Sequence, residues 1–236
     1  MEIVRFVVED AVFDKLPQVC FGVVVVRGVD NALLRPEVAT LLGEEIHRAE
    51  ARFAGRRARE LPEVLPYREA FAALGINPNK FLCSIEALLA RIEKGKGLPS
   101  INPLVDLGNA ISLRYALPIG AHDLGAAPGD VQVRFSRGGD RFVPFGEEAP
   151  EYLDAGELIY GVGDAVKTRR WIWRQSEQGK VTENTREVFF PLDGFAGRND
   201  EALRRARDDL AEGAARIFGA SVITGFVDTV ARSFEG

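Results

Sequence analysis

The chain has 236 residues, 46% apolar and 28% charged, which suits a folded protein with a buried core and excludes a disordered one. Its net charge of −5 excludes a protein that grips long nucleic-acid backbones through a global basic excess, because phosphate neutralisation supplies most of that affinity. Cys20 and Cys83 form no CxxC pair and only two histidines are present, so neither a metal site nor a cofactor is expected.

Residues 3–8 and 21–26 are rich in β-branched side chains and read as strands, joined by a connection that holds Pro17. The second run does not alternate, which predicts burial on both faces. A helical pattern runs from Pro36 to about residue 60, with Val38, Leu41, Leu42, Ile46, Ala49 and Phe53 on its stripe. Gly43 and Gly55 weaken it, and Pro62 and Pro66 end it. A second helix covers 67–74 and stops at Gly75. A third covers 84–93, with Ser84 as its N-cap. Asn102 and Pro103 open a fourth, which runs to about Arg114.

From 117 to 192 the pattern changes to strands. Residues 131–135 alternate, as do those around 141–145. Residues 157–162 and 170–173 read as a hairpin about Gly163 and Asp164, and 188–192 close the set. Asn199 caps a terminal helix with Leu203, Ala206, Leu210, Ala214 and Ile217 on one face. The apolar tail 221–230 is expected to pack back on the domain. There is no repeat and no βαβ alternation, so the reading is α+β, with residues 1–236 as one domain. The charged N-terminus lacks the apolar core of a signal peptide, and no apolar run approaches the ~20 residues of a membrane helix. A cytoplasmic location with no membrane partner is expected.

Residues 47–96 hold ten Lys or Arg against six Asp or Glu. That local excess makes Arg52, Arg56, Lys94 and Lys96 candidates for contact with an RNA stem, a solvated helix face being the alternative. Trp171 and Trp173 are two apart, hence on one face of a strand, either stacking on a base or packing in the core.

The segments from Gly75 to Gly194 resemble a known module. Ser100-Ile101-Asn102-Pro103-Leu104-Val105-Asp106 precedes Asn109, and Leu117-Pro118-Ile119-Gly120-Ala121-His122-Asp123-Leu124 follows. Later come Gly179-Lys180-Val181-Thr182-Glu183-Asn184-Thr185 and the strand from Val188 to Leu192. In order and spacing these are similar to the editing and tRNA-binding (B3/B4) module of the phenylalanyl-tRNA synthetase beta subunit. The resemblance implies a three-layer β-sandwich-like core with flanking helices, without a synthetase catalytic domain or ligase activity. It also implies an aminoacylated tRNA 3′ end as partner and hydrolysis of a mischarged ester, in trans.

Such an ester is already reactive, so a positioned water, an oxyanion shell and a side-chain pocket suffice, with no obligatory nucleophile. The resemblance places His122 in the active-site turn, where a near-neutral pKa would suit proton transfer. The family's histidine falls at Gly120 and a Phe at His122, a displacement of two residues that leaves both on one side of an extended segment. Glu177 falls near the acidic residue that reads the substrate hydroxyl, and Thr182 suits water positioning. Ser100, Asn102, Asn109, Asp123 and Arg174 are the candidate substrate-binding residues, with capping or a solvated strand position as the alternatives. Ile172 to Ser176 replace a glycine-rich segment of the family, so tyrosine specificity is not carried over. Two other readings stand beside the deacylase: a noncatalytic tRNA- or RNA-binding module, and a small-molecule binder that reuses the pocket.

Overall fold

The computed structural model describes residues 5–53, 55–126 and 129–236. Ile3 and Val4, the start of the first expected strand, lie outside them. The remainder forms β1 (Arg5–Val8), followed by the short helix α1 (Asp10–Lys15), which the sequence reading treats as plain connection. Next is β2 (Val19–Arg27), every residue of which is buried, as its unbroken apolar run requires.

Four helices follow. The first, α2 (Pro36–Phe53), ends earlier than expected: Gly55 adopts φ +82°, and residues 58–60 form a separate 3-10 turn. The next, α3 (Leu65–Ala73), carries Pro66 inside its first turn, so that proline starts the helix instead of ending the previous one. In α4 (Ser84–Glu93) the N-cap is Cys83, not Ser84, whose amide bonds the Ile172 carbonyl. In α5 (Pro103–Tyr115), Asn102 is a true N-cap, its Oδ1 accepting from the Val105 amide.

The strand-rich half departs most from the sequence reading. It contains β3 (His122–Asp123), β4 (Val131–Phe135), β5 (Asp140–Phe142), β6 (Glu151–Leu153), β7 (Leu158–Val162), β8 (Ala165–Arg169), β9 (Arg174–Gln175) and β10 (Glu187–Phe195). The hairpin partner of β7 is β8, not residues 170–173. Those residues form a turn in which Arg170 and Trp171 take φ +45° and +60°. The two tryptophans therefore do not share a strand face: Trp171 is fully buried and Trp173 half-buried. Helix α6 (Asp200–Phe218), β11 (Ser221–Val227) and β12 (Ser233–Glu235) complete the chain.

The strands make two sheets. The larger has the order β12-β1-β4-β7-β8-β5-β6, with β9 attached to β8, and the smaller the order β11-β2-β10-β3. Between the sheets pack Phe6, Phe21, Tyr160 and Phe189, with ring centroids 5.3–6.3 Å from Phe6. The other face of the smaller sheet takes the helices. Gly22 and Gly194 let Leu203 of α6 press onto β2 and β10, since added Cβ atoms would stand 2.9 and 2.5 Å from its methyls. Gly108 of α5 similarly sits against Phe190. Helices, small sheet and large sheet are thus the three layers of an α+β fold, as the resemblance implied. Burying large aromatic side chains between layers contributes roughly 25 cal/mol per Å² of apolar surface removed from water.

Candidate functional site

The segment from Pro118 to Asp123 runs antiparallel along β10. Gly120 N–H donates to the Pro191 carbonyl at 2.9 Å, and Asp193 N–H donates to that of Pro118 at 3.1 Å. This carries His122 into the space between β10, β7 and the 171–175 turn. A pocket of about 140 Å³ lies there, walled by Val105 and Gly108 of α5, Tyr160 and Trp171, and floored by Pro191. Its polar wall consists chiefly of Asn109, His122, Gln175 and Asp193.

The His122 ring stacks on Tyr160 at 5.9 Å and is only 5% exposed. Its Nδ1 is buried with no hydrogen-bond partner among the described residues. Burial, aided by the nearby Lys167 charge, pushes its pKa down to about 3. The near-neutral titration expected from sequence is therefore corrected: inside an apolar pocket the imidazole stays neutral at physiological pH. The two-residue displacement has a geometric counterpart. A Cβ on Gly120 would stand 3.2 Å from His122 Nε2, so the ring occupies the space that a side chain at 120 would enter.

Asp193 is the group that sequence reasoning missed. It is 1% exposed, and its Oδ1 accepts from Tyr160 Oη at 2.6 Å and Trp171 Nε1 at 2.7 Å. Neither donor reaches Oδ2, which has no hydrogen-bond partner among the described residues. Burial raises its pKa to about 7, against the opposing pull of those two hydrogen bonds. Tyr67 fixes the same strand position by donating from Oη to the Asp193 carbonyl at 2.8 Å. The only sequence signal was an acidic residue inside a run of buried strand residues, Phe189 to Phe195, where a carboxyl has no ordinary packing role.

The other expected site residues separate into groups. Asn109 lines the His122 pocket and makes no side-chain hydrogen bond among the described residues. Ser100, Asn102 and Thr182 instead line a second, open groove of about 630 Å³ on the far side of the start of α5. There they bind one another's surroundings. Ser100 Oγ donates to Asp106 Oδ2 at 2.5 Å, and Asn31 Nδ2 donates to Asn102 Oδ1 at 3.0 Å and the Thr182 carbonyl at 2.7 Å. Asn102 Nδ2 donates to the Val181 carbonyl at 3.1 Å, and Thr182 Oγ1 accepts from Asn184 N–H at 3.2 Å.

Asp123 closes a turn, accepting from Gly125 N–H at 2.8 Å and Thr185 Oγ1 at 2.6 Å. Glu177 lines neither cavity. Its carboxylate pairs with Lys180 and accepts from Gly146 N–H at 3.1 Å, and these contacts hold its pKa low. Arg174 is exposed on the pocket rim, 5.9 Å from the Trp173 ring. Arg170 lies 4.6 Å from that ring and 4.1 Å from Phe81.

Of the basic candidates, Arg56, Lys94 and Lys96 are exposed. Arg52 is not a free surface cation: it donates to the Leu113 carbonyl at 2.8 Å and to that of Arg114, closing the C-terminus of α5. Among the described residues no group of three or more His, Cys, Asp and Glu could hold a metal ion, and no helix is long and apolar enough to cross a membrane.

The fold is similar to a crystal structure of an N-terminal fragment of the phenylalanyl-tRNA synthetase beta-subunit from Pyrococcus horikoshii. The TM-score is 0.51 at 12% sequence identity, over 93% of this chain and 50% of that one, so this chain spans half the length of that fragment. No curated protein matches the chain. The B3/4 domain family model matches residues 66–212, which hold most of the His122 pocket, the Asn102 groove and the strands between them. With more than half of its length matched in this way, the chain belongs to the B3/4 domain family.

Proposed function

We propose that this protein is an aminoacyl-tRNA deacylase acting in trans, which takes the aminoacyl group of a mischarged tRNA into the His122 pocket and hydrolyses its ester. One observation carries the reading: a small apolar pocket holds the buried His122 Nδ1 without a partner, beside Asp193 Oδ2 and the half-buried Asn109 amide, which make no hydrogen bond among the described residues. Buried polar groups are normally paired, so an open buried nitrogen facing two further open polar groups in one cavity is matched to something that enters it. Family membership and the synthetase origin of the similar structure support an aminoacylated tRNA as that ligand.

The chemistry follows from the two pKa values. His122, neutral, offers one donor and one acceptor nitrogen, which suits it to orient a water or to donate to a developing oxyanion. Asp193, titrating near 7, is the proton acceptor whose strength matches the working pH. Water attacks the ester carbonyl as its proton passes to Asp193 Oδ2; the tetrahedral intermediate then breaks its bond to the ribose oxygen, which takes that proton back from Asp193, leaving the free amino acid and the tRNA hydroxyl. Asn109 binds the aminoacyl group. Trp173, Phe81, Arg170 and Arg174 form an aromatic and cationic rim suited to the unpaired terminal bases. The excess of aromatic and cationic groups at this rim, on a chain of net charge −5, fits contact with a short single-stranded end better than with a long duplex.

The test is release of free amino acid from a panel of radiolabelled correct and mismatched aminoacyl-tRNAs. Release from a mismatched species, rising with pH through about 7 and lost in Asp193→Asn and His122→Ala that remain folded by circular dichroism, is expected. Binding of tRNA without release from any species would overturn the deacylase and leave the noncatalytic binding module. Neither binding nor release would remove tRNA as the partner.

A further inference from the structure

Behind the wall of the His122 pocket, two cationic side chains stand together without a counter-ion. Arg141 of β5 pairs in parallel register with Ala165 of β8, and Lys167 lies two residues further along β8, so both side chains leave the same face of the sheet. Lys167 is 4% exposed, and its Nζ forms no hydrogen bond or ion pair among the described residues. The amine passes beneath the glycine of a turn: a Cβ on Gly179 would stand 3.3 Å from Lys167 Cδ and 3.4 Å from Nζ. Arg141 likewise makes no ion pair among the described residues, and its buried Nε has no partner. Glu177, in the adjoining turn next to Ser176, whose amide bonds the Lys167 carbonyl, is already engaged by Lys180 and the Gly146 amide. Burial first, and the Arg141 charge second, depress the Lys167 amine below its ordinary range. Two neighbouring cations, one almost wholly buried and the other half-buried with an unpartnered Nε, are unfavourable together unless an anion offsets their charge.

We propose that Arg141 and Lys167 form a binding site for a phosphate group. A tetrahedral oxyanion accepts from a guanidinium fork and an ammonium at once, whereas a planar carboxylate has only two oxygens to share between them. Solvent reaches the site past Tyr152, which lies opposite Arg141 on β6 and is 70% exposed. Neither Arg141 nor Lys167 lines the His122 pocket, and phosphate binding is read without any deacylation, so the failure of this site and that of the deacylase reading are distinguishable. The phosphate is either free or part of a nucleic-acid backbone; both present the same oxygens.

The experiment is isothermal titration with thermal unfolding at fixed ionic strength. The probes are inorganic phosphate and, separately, the trinucleotide CpCpA, with acetate and chloride as controls. Phosphate or the trinucleotide is expected to bind saturably and raise the melting temperature, with affinity falling about tenfold or more in both Lys167→Met and Arg141→Gln and unchanged in Arg205→Gln. Lys167→Met should also melt above the wild-type protein in phosphate-free buffer, because the unpaired buried charge is gone. A response to the trinucleotide alone assigns a backbone phosphate; a response to inorganic phosphate assigns a free one. No saturable response to either probe, or one that persists in both variants, overturns the site. If Lys167→Met does not fold, the less buried Arg141→Gln carries the same test.

Discussion

The two cavities on either side of α5 make an instructive pair. Both are built from residues that the resemblance singles out, and both are lined with polar side chains. In the open groove those side chains satisfy one another: Asn31, Asn102, Ser100 and Asp106 form a closed set with the backbone of Val181 and Thr182. In the His122 pocket they do not: Nδ1 of His122, Oδ2 of Asp193 and the Asn109 amide remain open. The groove is a structural joint that fastens α5 to the 181–185 turn. The pocket is the site proposed above. A polar residue in the right family segment becomes functional only where its hydrogen bonds are left for a ligand to complete.

The sharpest break of this comparison is removal of Asp193. Asp193→Ala leaves Tyr160 Oη and Trp171 Nε1 buried without an acceptor, at about 1–3 kcal/mol each, so a loss of roughly 2–6 kcal/mol is expected in denaturant unfolding. Asp193→Asn keeps an acceptor for both donors and should remain folded while losing deacylation. If Asp193→Ala unfolds at the wild-type midpoint, the buried network is not what organises the pocket.

Next in size is pH. His122 has a folded pKa of about 3 against an ordinary 6.5. Its contribution is therefore present in full above pH 6.5 and is lost as pH falls toward 3, on the order of 4 kcal/mol over the range. Asp193 runs the other way. Its folded pKa of about 7 lies above the ordinary 3.8, so its contribution is present below pH 3.8 and lost as pH rises through 7, again on the order of 4 kcal/mol. Between pH 4 and 6.5 the two slopes oppose each other. Melting temperature should thus rise toward pH 4 in His122→Phe and fall toward pH 4 in Asp193→Asn. Parallel curves for the two variants would show that these residues do not titrate as the pocket requires.

On the groove side, Asn102→Ala removes the cap of α5 and a partner of Asn31, at about 1–2 kcal/mol, with deacylation unaffected. Loss of activity in a fully folded Asn102→Ala would make the groove part of the site. Smaller still is Gly120→Ala. Its Cβ would stand 3.0 Å from Pro191 Cγ and 3.2 Å from His122 Nε2, so about 1 kcal/mol of stability and a shifted imidazole are expected, read as altered turnover with little change in melting. Glu177→Gln should change the melting temperature least, because its pair with Lys180 is solvent-screened.

Several elements could be read from the chain because their cause is local. The unbroken apolar run of β2 required two buried faces, Asn102 and Pro103 required a helix start, and the spacing of Leu203, Ala206, Leu210 and Ala214 required one buried helix face. The misreadings arose where the cause is not local. Residues 170–173 resemble a strand, yet the positive φ of Arg170 and Trp171 turns the chain so that Trp171 reaches Asp193 from across the sheet. Pro66 can stop one helix or start another, and only the packing of Tyr67 and Phe71 against Trp171 and Phe195 decides it.

The sequence by itself determined the class of fold, the family and the segment that holds His122, because hydrophobic period, helix caps and ordered motifs are properties of neighbouring residues. The protonation of His122, the role of Asp193 and the separation of Asn109 from Asn102 and Ser100 were decided only by tertiary structure. Each depends on which groups from distant strands share a water-free space, and in that space burial and unpaired hydrogen bonds outweigh any intrinsic property of the side chain.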